Sequence, residues 1–185
     1  MTADVAALEA RLARLEDLEA VRATWLDYCC QLDLGAWERL GDVFATDAEL
    51  EMDGLGPQLD GTYHGRRSIL DDFYARTATP DGPPGSAQAM TGHLSTNMQI
   101  ALDGDEATTL AYFFEIVDDN LVLIGTYQHR LRREPDRWRV TFLRIAVRYR
   151  GRLEASDVSG QPLTGIVARP VGGAPGELGG RGHAF

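Results

Sequence analysis

Lysine is absent from this chain: all 18 basic residues are arginine. Schiff-base catalysis and a phosphate-loop lysine are thereby excluded. Cysteine is nearly absent too, with only Cys29 and Cys30, which are neighbours. Adjacent helical residues point about 100° apart, a poor geometry for a mutual disulfide. No CxxC and no Cys/His set with zinc spacing occurs, so no metal site is expected, and the pair reads as buried small hydrophobes. No run of about 18 apolar residues exists, which excludes a membrane-spanning helix. The first twenty residues alternate charge with Ala and Leu and contain no apolar leader core. A secretory signal is therefore not expected, and a cytoplasmic location is the default. Basic residues are outnumbered by 28 acidic ones, for a net charge of −10. Nucleic-acid binding, which draws on clustered cations, is excluded on that balance.

What is present fits one domain, because 185 residues is within the usual range for a single core. Residues 4–34 read as helix, in two pieces with a new start at Asp17. Leu8, Leu12, Leu15 and Leu18 form one stripe; Val21, Trp25, Cys29 and Leu32 continue it, and Gly35 ends the helix. Further helices are expected over about 36–45 and 65–77, with a short strand at 48–52 between them. TPDGPPGS then breaks all regular structure. Four β-rich segments come next, about 90–101, 107–118, 121–133 and 137–150, separated by turn chemistries. Helices first and a strand meander afterwards is an α+β pattern. The last strand is apolar on both phases, with Trp138, Val140 and Phe142 on one and Leu143, Ile145 and Val147 on the other. Both of its faces are therefore expected to be covered, the outer one by a neighbouring subunit. Residues 1–154 make the domain, and the Gly/Pro-rich stretch 155–185 reads as a tail.

Functional residues show themselves as polar groups where the pattern wants apolar ones. Asp33 continues the ridge Trp25–Cys29–Asp33, although a helix-end aspartate facing water reads equally well. Arg144 shares its strand phase with Trp138, Val140 and Phe142, so it points into a pocket unless a bulge turns it to solvent. His93 opens a strand; strand histidines are often structural, but an Asp–His pair is a common general base. Tyr28 lies on the stripe Val21–Trp25–Tyr28–Leu32, where most tyrosines are core residues. His64 and His129 are weaker candidates.

The segments YCCQLDLGAWERLGDVFATDAEL, YHGRRSILDDF, GHLSTNMQI and GTYQHRLRREPDRWRVTFLRI, in this order over residues 8–150, resemble the SnoaL-like group of the nuclear-transport-factor-type cone fold. The resemblance is strongest to its lyase branch, which includes scytalone dehydratase, bile-acid 7α-dehydratase and hexachlorocyclohexane dehydrochlorinase. It implies a cone-shaped, curved mixed β-sheet wrapped around three helices, with an apolar conical pocket. It also implies Asp33 and His93 as the acid–base dyad, with Tyr28 and Arg144 polarising the substrate. Trp25, Phe114, Tyr127 and Phe142 are the aromatic candidates for substrate contact. No metal or organic cofactor is implied, and homotrimers are. The expected function is a cofactor-independent dehydratase acting on a hydrophobic polycyclic or steroid-like hydroxy-ketone. An isomerase or polyketide cyclase on the same pocket, or a small-molecule binding protein without turnover, are the alternatives, since one fold hosts many chemistries.

Overall fold

Ala, Leu, Glu and Arg dominate the first thirty-odd residues, the types that lose least on entering a helix. They form one unbroken helix, α1 (Thr2–Asp33), in the computed structural model, which describes residues 2–77, 92–117 and 121–152. The expected break at Asp17 does not occur. Its carboxylate is taken by Arg133, 2.6 Å away, rather than used to start a new helix. Gly35, at φ +62°, ends α1; its N–H donates to Leu32 O, and that of Ala36 to Gln31 O. A left-handed residue there suits glycine.

A second short helix, α2 (Trp37–Val43), leads into β1 (Phe44–Asp53). The short strand β2 (Gly61–His64) was not anticipated. A third helical segment, residues 66–77, has a π-helical centre at Ile69–Tyr74. The meander is β3 (Leu94–Asp103), β4 (Glu106–Val117), β5 (Leu121–Arg133) and β6 (Trp138–Arg152). The strands form one open sheet of order β2-β1-β6-β5-β4-β3. All neighbours are antiparallel except β1 and β6, which run parallel. The sheet is therefore mixed and curls around three helices, the expected α+β cone. The TPDGPPGS break and the 155–185 tail lie outside the described residues.

The second half of α1 lies in the cone. Val21, Trp25, Tyr28 and Cys29 are buried, and Thr24 donates its hydroxyl to Ala20 O and to Trp138 O on β6. Trp25 donates its indole N–H to Ser95 on β3. The first half projects away, and Leu8, Leu12 and Leu15 are exposed. Leu40, Val43, Phe44, Leu50, Ile69 and Leu143 are fully buried, each contributing about 1.5–3 kcal/mol of transfer free energy. No helix among the described residues is long and apolar enough to cross a membrane.

β6 departs from simple alternation twice. Arg130 pairs with Phe142 but Leu131 with Val140, so Thr141 is a surplus residue. Ile124 pairs with Tyr149 but Gly125 with Val147, so Arg148 is another. Each such bulge inverts the phase of the residues beyond it. Trp138, Val140, Leu143, Ile145 and Val147 thus all face inward, and the apparent two-faced hydrophobicity of this strand is mostly one face. The expectation that a neighbouring subunit covers an outer apolar face rested on two apolar faces of β6, and the bulge at Thr141 removes that reason; the homotrimer is what the resemblance alone implies.

Candidate active site

The open end of the cone holds a cavity of about 310 Å³, at the small end of ligand pockets. The end of α1 supplies Tyr28, Leu32 and Asp33, and the π-helical segment supplies Phe73 and Tyr74. A π turn is wider than an α turn and recurs at functional sites. The strands add Met52, Phe113, Glu115, Leu123, Tyr127, Ile145 and Val147. His93 enters from the residue before β3.

Asp33 and His93 meet directly. The ring Nδ1 of His93 donates to Asp33 Oδ1, since an ionised carboxylate only accepts. The His93 backbone N–H also donates to Asp33, at 3.1 Å to Oδ2 and 3.3 Å to Oδ1. One aspartate therefore fixes both the ring's tautomer and its main chain. The far nitrogen, Nε2, faces Glu115 Oε1 at 3.3 Å. The imidazole thus bridges two carboxylates, its side chain 9% exposed and that of Glu115 16%.

The electrostatics follow from this arrangement. Burial works against the His93 imidazolium, but the hydrogen bond to Asp33 and the charges of Glu115 and Asp33 outweigh it, so its pKa is raised. Burial is the main cause that lifts the Glu115 carboxyl above the usual range; His93 opposes the shift and Asp33 adds to it. Both shifts favour keeping one proton between Nε2 and Oε1 near neutral pH. Beside them the Tyr28 and Tyr74 hydroxyls are bonded at 2.8 Å. Burial raises both well above the ordinary phenol value, so both stay protonated donors.

The other sequence candidates divide. Tyr127 lines the cavity, while Trp25 is stacked on Tyr28 with ring centroids 4.6 Å apart. Trp25 is not in the cavity wall but supports it from behind. Arg144 is on the outer face, its guanidinium 3.5 Å from Glu51 and 3.8 Å from Asp53. The bulge at Thr141 is the reason, because it moves Arg144 off the phase of Trp138 and Val140. Phe142 turns outward with it and lies under Arg130 at 4.3 Å. Phe114 is also outside, paired across the sheet with Leu94 and the exposed Ile124. His129 is buried and hydrogen-bonded to Thr109, and burial pushes its pKa down to about 3; it is a neutral core residue. His64 is an exposed partner of Glu49.

Glu115, Tyr74, Arg76 and Arg150 were not anticipated. A signal for Glu115 existed, since it shares its phase with Ala107, Thr109, Ala111 and Phe113, all buried. Among the described residues no group of three or more His, Cys, Asp or Glu side chains is arranged to hold a metal ion.

A SnoaL-like domain model matches residues 13–144. No relative matches among curated protein sequences. Similar solved structures include a hexachlorocyclohexane dehydrochlorinase, LinA-type3, of Novosphingobium barchaimii. It is 19% identical with a TM-score of 0.65, over 79% of this chain and 96% of that one. A candidate scytalone dehydratase of Novosphingobium aromaticivorans is 18% identical with a TM-score of 0.59, over 87% and 97%. An NTF2-like protein with a cystatin-like fold from the same organism is 26% identical with a TM-score of 0.58, over 76% and 88%.

Proposed function

Because this chain belongs to the SnoaL-like family, within a fold that carries lyases among many activities, we infer that its cavity performs proton-transfer chemistry on a small molecule, as a dehydratase. The observation that carries this reading is the imidazole of His93 held between Asp33 and Glu115 in a cavity whose remaining wall is largely apolar and aromatic. A core histidine needs one partner; here both ring nitrogens meet carboxylates, and one of those carboxylates lines the cavity with its pKa raised.

The reacting form places the shared proton on Glu115 and leaves His93 neutral. Nε2 then removes a proton from the carbon next to a substrate carbonyl. The Tyr28–Tyr74 hydroxyl pair donates to that carbonyl oxygen as negative charge gathers there. The bond from the β-carbon to its hydroxyl breaks, and Glu115 protonates the leaving oxygen, releasing water and an enone. His93 is now charged and Glu115 ionised; transfer across their 3.3 Å contact restores the starting form. Asp33 accepts the Nδ1–H throughout and steadies the imidazolium. The apolar walls suit a hydrophobic hydroxy-ketone of polycyclic or steroid-like character.

The test is incubation with a panel of cyclic β-hydroxyketones, followed by mass spectrometry in deuterated water. Loss of water that disappears in His93→Gln supports the reading. Retention of the hydroxyl with deuterium incorporated indicates an isomerase, and saturable binding with neither loss of water nor deuterium uptake indicates a binding protein.

A further inference from the structure

The cavity is electrostatically lopsided. Its more buried part holds His93 and the Glu115 carboxylate, with Asp33 beside them, a place that repels an anion. Its wall also includes two guanidiniums, Arg76 and Arg150, and Arg76 is exposed while Arg150 is half-buried. Arg150 reaches this wall only because of the second bulge in β6. With Arg148 surplus, Arg150 falls opposite Leu123, a cavity residue, and shares its face.

Among the described residues eight arginines elsewhere on the body have carboxylate partners, as Arg133 has with Asp17 and Arg139 with Asp136, while Arg66 donates to Phe44 O and Arg130 lies over the Phe142 ring. Among the described residues Arg150 has no such partner, and Arg76 donates only to Gln58 O, at 3.0 Å. In a chain with ten more acidic than basic residues, two guanidiniums that line a cavity and have no carboxylate partner of their own among the described residues stand out. Guanidinium groups match planar carboxylates in two-point hydrogen bonds. We propose that Arg76 and Arg150 form an anion-binding end of the cavity, and that its ligand is a hydrophobic molecule carrying a carboxylate remote from the reacting carbon. This deepens the proposed function and rests on the cavity taking a small molecule. The charged end would stay near solvent and the apolar body would lie along the Phe73, Leu123 and Ile145 wall. Attraction at one end and repulsion at the other would thus fix which end reaches His93.

The experiment compares 2-naphthylacetate with 2-naphthylacetamide, equal in shape and different in charge, by calorimetric titration near neutral pH and low salt. The carboxylate should bind at least roughly tenfold tighter than the amide, as a charge-assisted bidentate contact allows. Arg76→Gln with Arg150→Gln should erase that preference, each single variant should lower it, and Arg150→Lys should retain part of it. Thermal melts run beside the titrations confirm that each variant is folded, and the single variants decide the matter where the double one is not. Equal affinity for the two probes, binding of neither, or a preference surviving in the folded double variant would overturn the assignment. Since the readout is binding, the preference stands or falls independently of turnover. A carboxylate preference without any elimination activity would remove the dehydratase reading alone.

Discussion

Glu115→Gln removes a charge and almost no volume, which makes it the sharpest probe of the bridged imidazole. Two unit charges 3.3 Å apart attract by roughly 5 kcal/mol at an effective dielectric of about 20. Burying a carboxylate costs several kcal/mol in the other direction. The raised pKa of Glu115 says that this cost is not fully repaid by His93. The two effects are of one size and opposite sign, so the variant should melt within about 4 °C of the wild type, the shift expected for about 1 kcal/mol in a protein this long. The His93 imidazole should titrate lower than before, having lost one of the charges that raise it. Elimination should fall by about 10²- to 10⁴-fold, the usual loss when a positioned acid is removed. The assay is turnover against pH on the substrate found by the panel, with an NMR titration of His93 and a melt on the same preparation. A variant that keeps wild-type turnover, or whose His93 titrates unchanged, would refute the assignment of Glu115 as the proton donor. A large drop in melting temperature with the folded fraction fully active would make Glu115 structural.

Arg144→Met should leave turnover unchanged and cost under about 1 kcal/mol, because its ion pairs are on the outer face and half-exposed; a melt and a rate on one sample check both. Gly125→Ala should destabilise by about 3 kcal/mol or more in a denaturant titration, since a Cβ there would sit 2.1 Å from Ala146 O and 2.6 Å from the Phe113 ring. His93 has a folded pKa above its ordinary 6.5, so its contribution to stability is complete below that value and is lost as pH rises through the folded one. Melting temperatures from about pH 6 to about pH 9 should therefore decline in the wild type and decline less in His93→Gln.

Asp33 and His93 were legible because each breaks a local pattern, and a polar group on an apolar line must find a partner. Glu115 had the same property on β4 and was hidden by its surroundings. In FFEIV both phases are apolar, so neither face announces itself as the inner one, and Phe114 drew the attention that belonged to Phe113. Arg144 was misplaced by the opposite route: its phase was counted correctly from Trp138, but a bulge resets the count. Nothing about Thr141 marks it as surplus, because its position is settled by pairing with β5, a tertiary fact. The α+β order was readable because helix and strand periods are properties of contiguous residues, while the cone was what the resemblance implied. β2 escaped since four residues in a turn-rich stretch carry too little period to register.

The surplus residues of β6 also bear on how this chain tolerates changes of length. In an ordinary strand a one-residue deletion exchanges the two faces from that point onward, which is why such lesions are usually confined to loops. Here Thr141 already occupies an extra place. Its removal leaves Val140 inside, Phe142 outside and Leu143 inside, with a straighter strand as the main consequence. Loss of Arg148 is absorbed in the same way, with Val147 and Arg150 keeping their faces. Insertion has no such cushion: an added residue between the two sites sends Ile145 and Val147 outward and brings charged neighbours in. Among variants differing only by single-codon length changes, β6 should therefore accept shortening at these two places and reject lengthening between them.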